Sequence, residues 1–171
     1  MPKGMTAIFS QTVTSTVGNV YINNIPQNYT DLRIIVSGRS TNSNATYYDA
    51  AVYCTFNNNT GSVYSSTRMY GVGSGGAGTD RITNSTSCIF CLLTANETAA
   101  NIFSAAEVHI PNYSGTGFKQ FITNTANENN TTNNVTQKHA SLFRSNTPIT
   151  SIQIGGTWVS GSTITVYGIS R

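Results

Sequence analysis

The sequence predicts an all-β fold: two antiparallel sheets packed as a β-sandwich, jelly-roll-like in its connections. Three observations carry this. Charged residues make up only 9% of the chain, against about 25% in ordinary globular domains. Asn, Ser, Thr and Gly supply the polarity instead. Thr, Tyr, Val and Ile suit pleated, half-buried surfaces, and Asn and Gly suit the turns between short strands. Second, apolar residues recur at every second position in one segment after another, with turn residues between the segments. Third, no stretch carries a convincing helical period. With 38% hydrophobic residues over 171 positions, the chain has material for one substantial core, so residues 1–171 are read as a single domain. Long intervening loops favour a jelly roll over a meander.

The elements follow in order. Residues 7–13 and 19–22 open the series. In DLRIIVSGR, Leu32, Ile34 and Val36 fall on one face and Arg33, Ser37 and Arg39 on the other, with Ile35 the exception. YYDAAVYCTF places Tyr48, Ala50, Val52, Cys54 and Phe56 on one face, which makes Cys54 a core residue, and the chain then turns at NNNTG. Further strands are expected at residues 66–72, 88–93, 102–110, 118–123, 136–143, 149–154 and 163–169. The low-complexity run ANENNTTNNVTQ, residues 126–137, is expected to lack fixed structure in isolation.

Chemistry-bearing motifs are sparse. GVGSGGAG spaces Gly71, Gly73 and Gly76 like a dinucleotide-binding fingerprint, which needs a helix to follow it. TDRITNSTSC follows instead, crowded with residues that favour turns and strands, so the glycines are read as a flexible hairpin tip. Cys88 and Cys91 resemble half a zinc site with no second half, and in a regular strand they would point to opposite faces. No metal or cofactor is expected, and Cys54, Cys88 and Cys91 are read as buried free thiols. The acids Asp31, Asp49, Asp80, Glu97, Glu107 and Glu128 are widely separated, and there is no G-x-S-x-G elbow. Glu107 and His109 share a strand face, read as a solvated face and not an acid-base couple, so no enzymatic activity is expected.

The formal charge is +3 with the cations scattered singly, which does not suit a nucleic-acid partner. There is no apolar span near 20 residues and no signal-peptide pattern, so neither a membrane partner nor signal-led secretion is expected. Asn-x-Ser/Thr triplets such as those beginning at Asn28, Asn96 and Asn134 are read as accidents of composition. One strand departs from one-sidedness. In CIFCLL, Cys88, Phe90 and Leu92 make one apolar face and Ile89, Cys91 and Leu93 another, so something must cover the second face. Either a loop of the chain or another subunit would serve; on the second reading Ile89 and Leu93 form the subunit contact of a homo-oligomer.

Several segments together carry a resemblance: VYINNIPQNYTDLRIIVSGRS, FNNNTGSVYSSTRMYGVGSG, VHIPNYSGTGFKQF and GGTWVSGSTITVYGIS. They resemble a group of virion structural proteins of tailed bacteriophages, many from aquatic hosts. Ile25, Pro26, Tyr29, Thr30, Asp31 and Leu32 carry the first shared element, and Phe56, Asn57, Gly61, Tyr64 and Ser65 the second. Ile110, Tyr113, Tyr167, Gly168 and Ile169 carry the rest. The resemblance implies a β-sandwich component of the virion without enzymatic activity, partnered by other virion proteins. As a homo-oligomer it is expected to be a trimer, which three-fold joints on shells and three-fold fibre tips would both accept. Two roles compete: an oligomeric capsid decoration or cement protein on the particle exterior, and a receptor-binding or glycan-adhesive knob of a head or tail fibre. Fibre modules usually carry a coiled-coil, collagen-like or β-helical shaft, and this chain has none, which favours decoration. In the adhesive role Tyr47, Tyr70, Tyr113 and Trp158 would stack on host glycans.

Overall fold

The computed structural model describes residues 4–43 and 49–170. Among them are twelve β-strands and no helix: β1 (Gly4–Thr12), β2 (Val17–Ile22), β3 (Asp31–Gly38), β4 (Asp49–Phe56), β5 (Tyr64–Val72), β6 (Ala77–Ser85), β7 (Cys88–Thr94), β8 (Ser104–Pro111), β9 (Lys119–Asn127), β10 (Val135–Phe143), β11 (Ile152–Trp158) and β12 (Thr163–Ser170). They form an eight-stranded sheet in the order β1-β12-β3-β8-β9-β10-β5-β6 and a four-stranded sheet in the order β2-β11-β4-β7, antiparallel throughout.

The topology is a jelly roll with an annex. Setting aside two hairpins, β5-β6 and β9-β10, leaves β1-β12-β3-β8 facing β2-β11-β4-β7. Successive strands of that remainder alternate between the sheets except at β4 and β7, which pair with each other within the smaller sheet, the pattern of a jelly roll's two Greek keys. The hairpins then extend the larger sheet beyond β8.

Period-2 alternation builds the core. Leu32, Ile34 and Val36 of β3, Val108 and Ile110 of β8, and Ile164 and Val166 of β12 point inward, and Val52, Cys54, Phe56, Ile152, Ile154 and Trp158 meet them from the smaller sheet. At one end Phe56 meets the Phe121 ring edge-on at 5.4 Å, and Tyr64 stacks on Phe143 at 5.1 Å. The Tyr64 hydroxyl accepts from Phe56 N and donates to Asn59 O, each at 2.9 Å. It thereby clips the NNNTG turn, where Asn57 and Asn58 take φ near 53°, a conformation Asn tolerates better than most residues.

Four features add to or depart from expectation. Strand β6 was not foreseen; it is exposed over most of its length and so shows no apolar alternation. Second, residues 128–134 are held by their own side chains: Asn129 accepts from Thr131 N at 3.0 Å and donates to Asn133 O at 3.0 Å, and Asn134 donates to Glu128 at 2.9 Å. Third, a bulge in the β4-β7 pairing sets Cys88 opposite Cys54 and Cys91 opposite Val52. The extra residue cancels the alternation, so all three cysteines line the core rather than opposite faces. Fourth, β7 is buried at every position although it ends the smaller sheet. It lies against β3, β8, β9, β10 and β5, so the widened sheet of its own chain covers it.

Candidate functional site

The outward residues of the larger sheet form its broadest accessible surface. One row across it runs Ile35, Glu107, Asn124, Lys138, Met69 and Thr79, and the next runs Arg33, His109, Ile122, Ala140, Thr67 and Arg81. Two neighbouring depressions open on this face, of about 740 and 500 Å³. Ile35, Met69 and Ile122 stay 38–59% exposed there. An aliphatic floor with amide, hydroxyl and few charged groups around it can bind by burial and neutral hydrogen bonds.

Four of the ionisable groups on this face lie beside one another in pairs. Arg33 Nε forms an ion pair with Glu107 Oε1 at 2.9 Å. His109 Nε2 lies 3.5 Å from the Asp31 carboxylate, which also accepts from Asn112 N at 3.0 Å. Glu107 and His109 thus share the outer face, each beside a different partner.

A second polar cluster sits on the inner face of the annex. Across β9, β10, β5 and β6, Thr123, His139, Arg68 and Asp80 stand in one row, and Thr125, Gln137 and Tyr70 in the next. Arg68 binds Asp80 Oδ2 through Nε at 2.7 Å, donates to Gln137 Oε1 at 3.2 Å and lies 4.8 Å above the Tyr70 ring centre. His139 is fully buried and neither ring nitrogen has a protein partner. Burial first, then the Arg68 charge, pushes its pKa from 6.5 down to about 4, with Asp80 opposing, so the ring is neutral at pH 7. Sequence reasoning missed this cluster. Its signal lay in β10, where Gln137, His139 and Ser141 occupy the inward positions that other strands fill with aliphatics.

Elsewhere, Arg39 holds a loop. Its guanidinium donates to Thr98 Oγ1 at 2.7 Å, Thr98 O at 2.9 Å, Ala99 O at 2.8 Å, and Asn96 O and Ile102 O at 3.2 Å. Burial raises all three thiol pKa values, that of Cys88 to about 11, so the thiols stay protonated at neutral pH. Among the described residues no group of three His, Cys, Asp or Glu side chains is placed to hold a metal ion, and no helix is long and apolar enough to cross a membrane.

The residues singled out from sequence fall as follows. Leu93 is wholly buried in the core and Ile89 is 6% exposed. Neither offers surface to a second subunit, because their own chain encloses β7. Tyr113 and Trp158 are completely buried. Tyr113 donates its hydroxyl to Pro26 O, and a stacking role on glycans is closed to both rings. Tyr70 is partly exposed beneath Arg68, and Tyr47 lies outside the described residues. The GVGSGGAG stretch forms the β5-β6 turn, with Gly75 at φ 91°.

No protein-family model matches the chain, and no curated protein matches it. Among solved structures, a chain of T=1 particles derived from infectious bursal virus is 9% identical over 99% of this chain, with a TM-score of 0.13. This chain spans 38% of that one. A likeness so slight carries no argument.

Proposed function

We propose that this protein is a non-enzymatic structural component of a tailed-phage virion, an oligomeric decoration or cement protein on the outside of the capsid. The observation that carries this reading is the widened larger sheet: the annex doubles its strand number beyond the jelly roll and presents one broad, mostly neutral face. Jelly rolls recur in viral capsid and lectin domains, and fold alone does not choose between them. Contacts made through the apolar, amide and hydroxyl groups of this face are little affected by salt, which suits a protein on a particle exterior. The phage-like segments identified in the sequence point the same way.

The adhesive-knob alternative is weakened by burial, since two of its four stacking residues, Tyr113 and Trp158, do not reach solvent, while Tyr70 is partly exposed and Tyr47 lies outside the described residues. The test is to locate the chain on intact particles with a specific antibody and a low-resolution particle map. Density over the shell is expected. Density at a fibre tip would shift the role to adhesion, and a chain absent from purified particles would overturn the virion reading.

A further inference from the structure

β1 and β6 are the outermost strands of the larger sheet. A sheet edge offers unpaired N–H and C=O groups, and proteins guard such edges with charge, proline or short strands. β6 carries Asp80 and Arg81, with Asp80 bonded back to Arg68. β1 lacks charge and proline: GMTAIFSQT runs nine residues without either, its one irregularity is the bulge between Ala7 and Phe9, and Met5 is 50% exposed. Ile8 and Phe9 only partly bury themselves against the core.

We propose that β1 is a self-association edge, pairing antiparallel with β1 of a second copy about a two-fold axis and joining two larger sheets into one. This rests on the oligomeric part of the function proposed above and names its contact. Two-fold pairing is the commonest closed symmetry, and it differs from the trimer expected from shell joints.

Self-complementarity is what commits the edge to a second copy. Directly opposed residues in an antiparallel pair lie on the same sheet face. Against β12, Thr6 stands opposite Gly168 and Phe9 opposite Val166 on the core side, whereas Met5 stands opposite Ile169 and Ser10 opposite Thr165 on the outer side. The bulge between Ala7 and Phe9 produces this switch. Full-length pairing of two β1 strands would oppose Thr6 to Ser10, which face opposite ways. Slipping by one residue opposes Thr6 to Phe9 and Met5 to Ser10, and faces then agree in both pairs. No like charges meet, because the strand has none.

Sedimentation equilibrium of the full chain is expected to show a dimer. Met5→Glu combined with Ser10→Glu would set like charges opposite each other at both ends of the pair and weaken dimerisation about tenfold or more, with an unchanged circular dichroism spectrum. Mixing that variant with Met5→Lys, Ser10→Lys chains should restore a mixed dimer. As a check on the unaltered protein, the amides of β1 should exchange hydrogen more slowly as concentration rises. A trimer whose β1 exchange ignores concentration overturns the edge contact and leaves the oligomeric reading standing. A dimer untouched by the Glu pair also overturns it, as does a chain that is monomeric alone and takes up another protein's strand on β1. A chain found on particles as a monomer overturns self-association but not the virion assignment.

Discussion

At the residue scale, His139 gives the clearest energetic consequence. Its folded pKa is lowered to about 4 from 6.5, so the unfolded chain binds a proton first as pH falls. The stabilisation is complete above pH 6.5, erodes between there and about 4, and is gone below. On the order of 3 kcal/mol is at stake. Urea midpoints measured from pH 7 down to 3.5, about the limits of this window, should fall more steeply in the unaltered protein than in His139→Gln; parallel curves would show that His139 does not set the slope. The thiols supply a second prediction. With all three buried and their pKa values raised, a thiol reagent at pH 7.5, about a unit below an ordinary thiol's pKa, should react only after denaturant is added. Rapid labelling of the native protein would contradict their burial. Arg39 is the third case. Arg39→Met removes the guanidinium donors to the carbonyls of Asn96, Thr98, Ala99 and Ile102, leaving Ala99 O its bond from Ile102 N, at a cost of about 3 kcal/mol, and limited proteolysis should then cut that loop first.

At the scale of elements, β7 separates a packing role from an assembly role. A side chain at Gly38 would collide with Leu93, so the missing Cβ makes room for that leucine. Leu93→Ala should therefore cost about 2–5 kcal/mol of folding stability without changing the oligomeric state of the folded fraction, and Gly38→Ala should cost about 1–3 kcal/mol by overpacking. Thermal unfolding read beside light scattering checks both; loss of association with unchanged stability would return Leu93 to an interface. The same strand shows where sequence stopped being legible. Its two-sided apolarity correctly announced that both faces are covered, but the cover is the curl of a sheet widened by distant hairpins, which no local pattern encodes. The cysteine faces were misread because one bulge reverses alternation, and a bulge leaves no mark in CIFCLL. β3, β8 and β10 were legible because one face of each is aliphatic or closed. β6 was not, because an edge strand exposed along most of its length has no buried side to imprint a period. The Asn-rich run was expected to lack fixed structure in isolation; within the fold its own polar side chains bond the loop into shape.

For the whole molecule, scarcity of charge governs both how the candidate surface was found and how it should behave. The sequence located the outer sheet face only in fragments, through Glu107 and His109 sharing a side, because assembling six strands into one surface depends on hairpins inserted at two separate points of a jelly roll. Stacking aromatics drew attention to Tyr113 and Trp158, which the core claimed; large rings near polar turns read alike whether they point in or out. Composition was the more dependable guide. Six acidic and nine basic residues in 171 leave few exposed charges, and the strongest pairs, Arg33 with Glu107 and Arg68 with Asp80, are internal to the chain. Association through β1 would bury no charge of that strand, so it releases no ion pair to screening. The dissociation constant should then change by less than about threefold between roughly 0.05 and 1 M NaCl, a range over which the Debye length shrinks to about 3 Å. Sulfate, which strengthens apolar burial, should tighten the pair instead. A dissociation constant that rises steeply with NaCl would mean that Arg81, Lys138 or another exposed cation carries the contact, and would move the interface from the uncharged edge to the open sheet face.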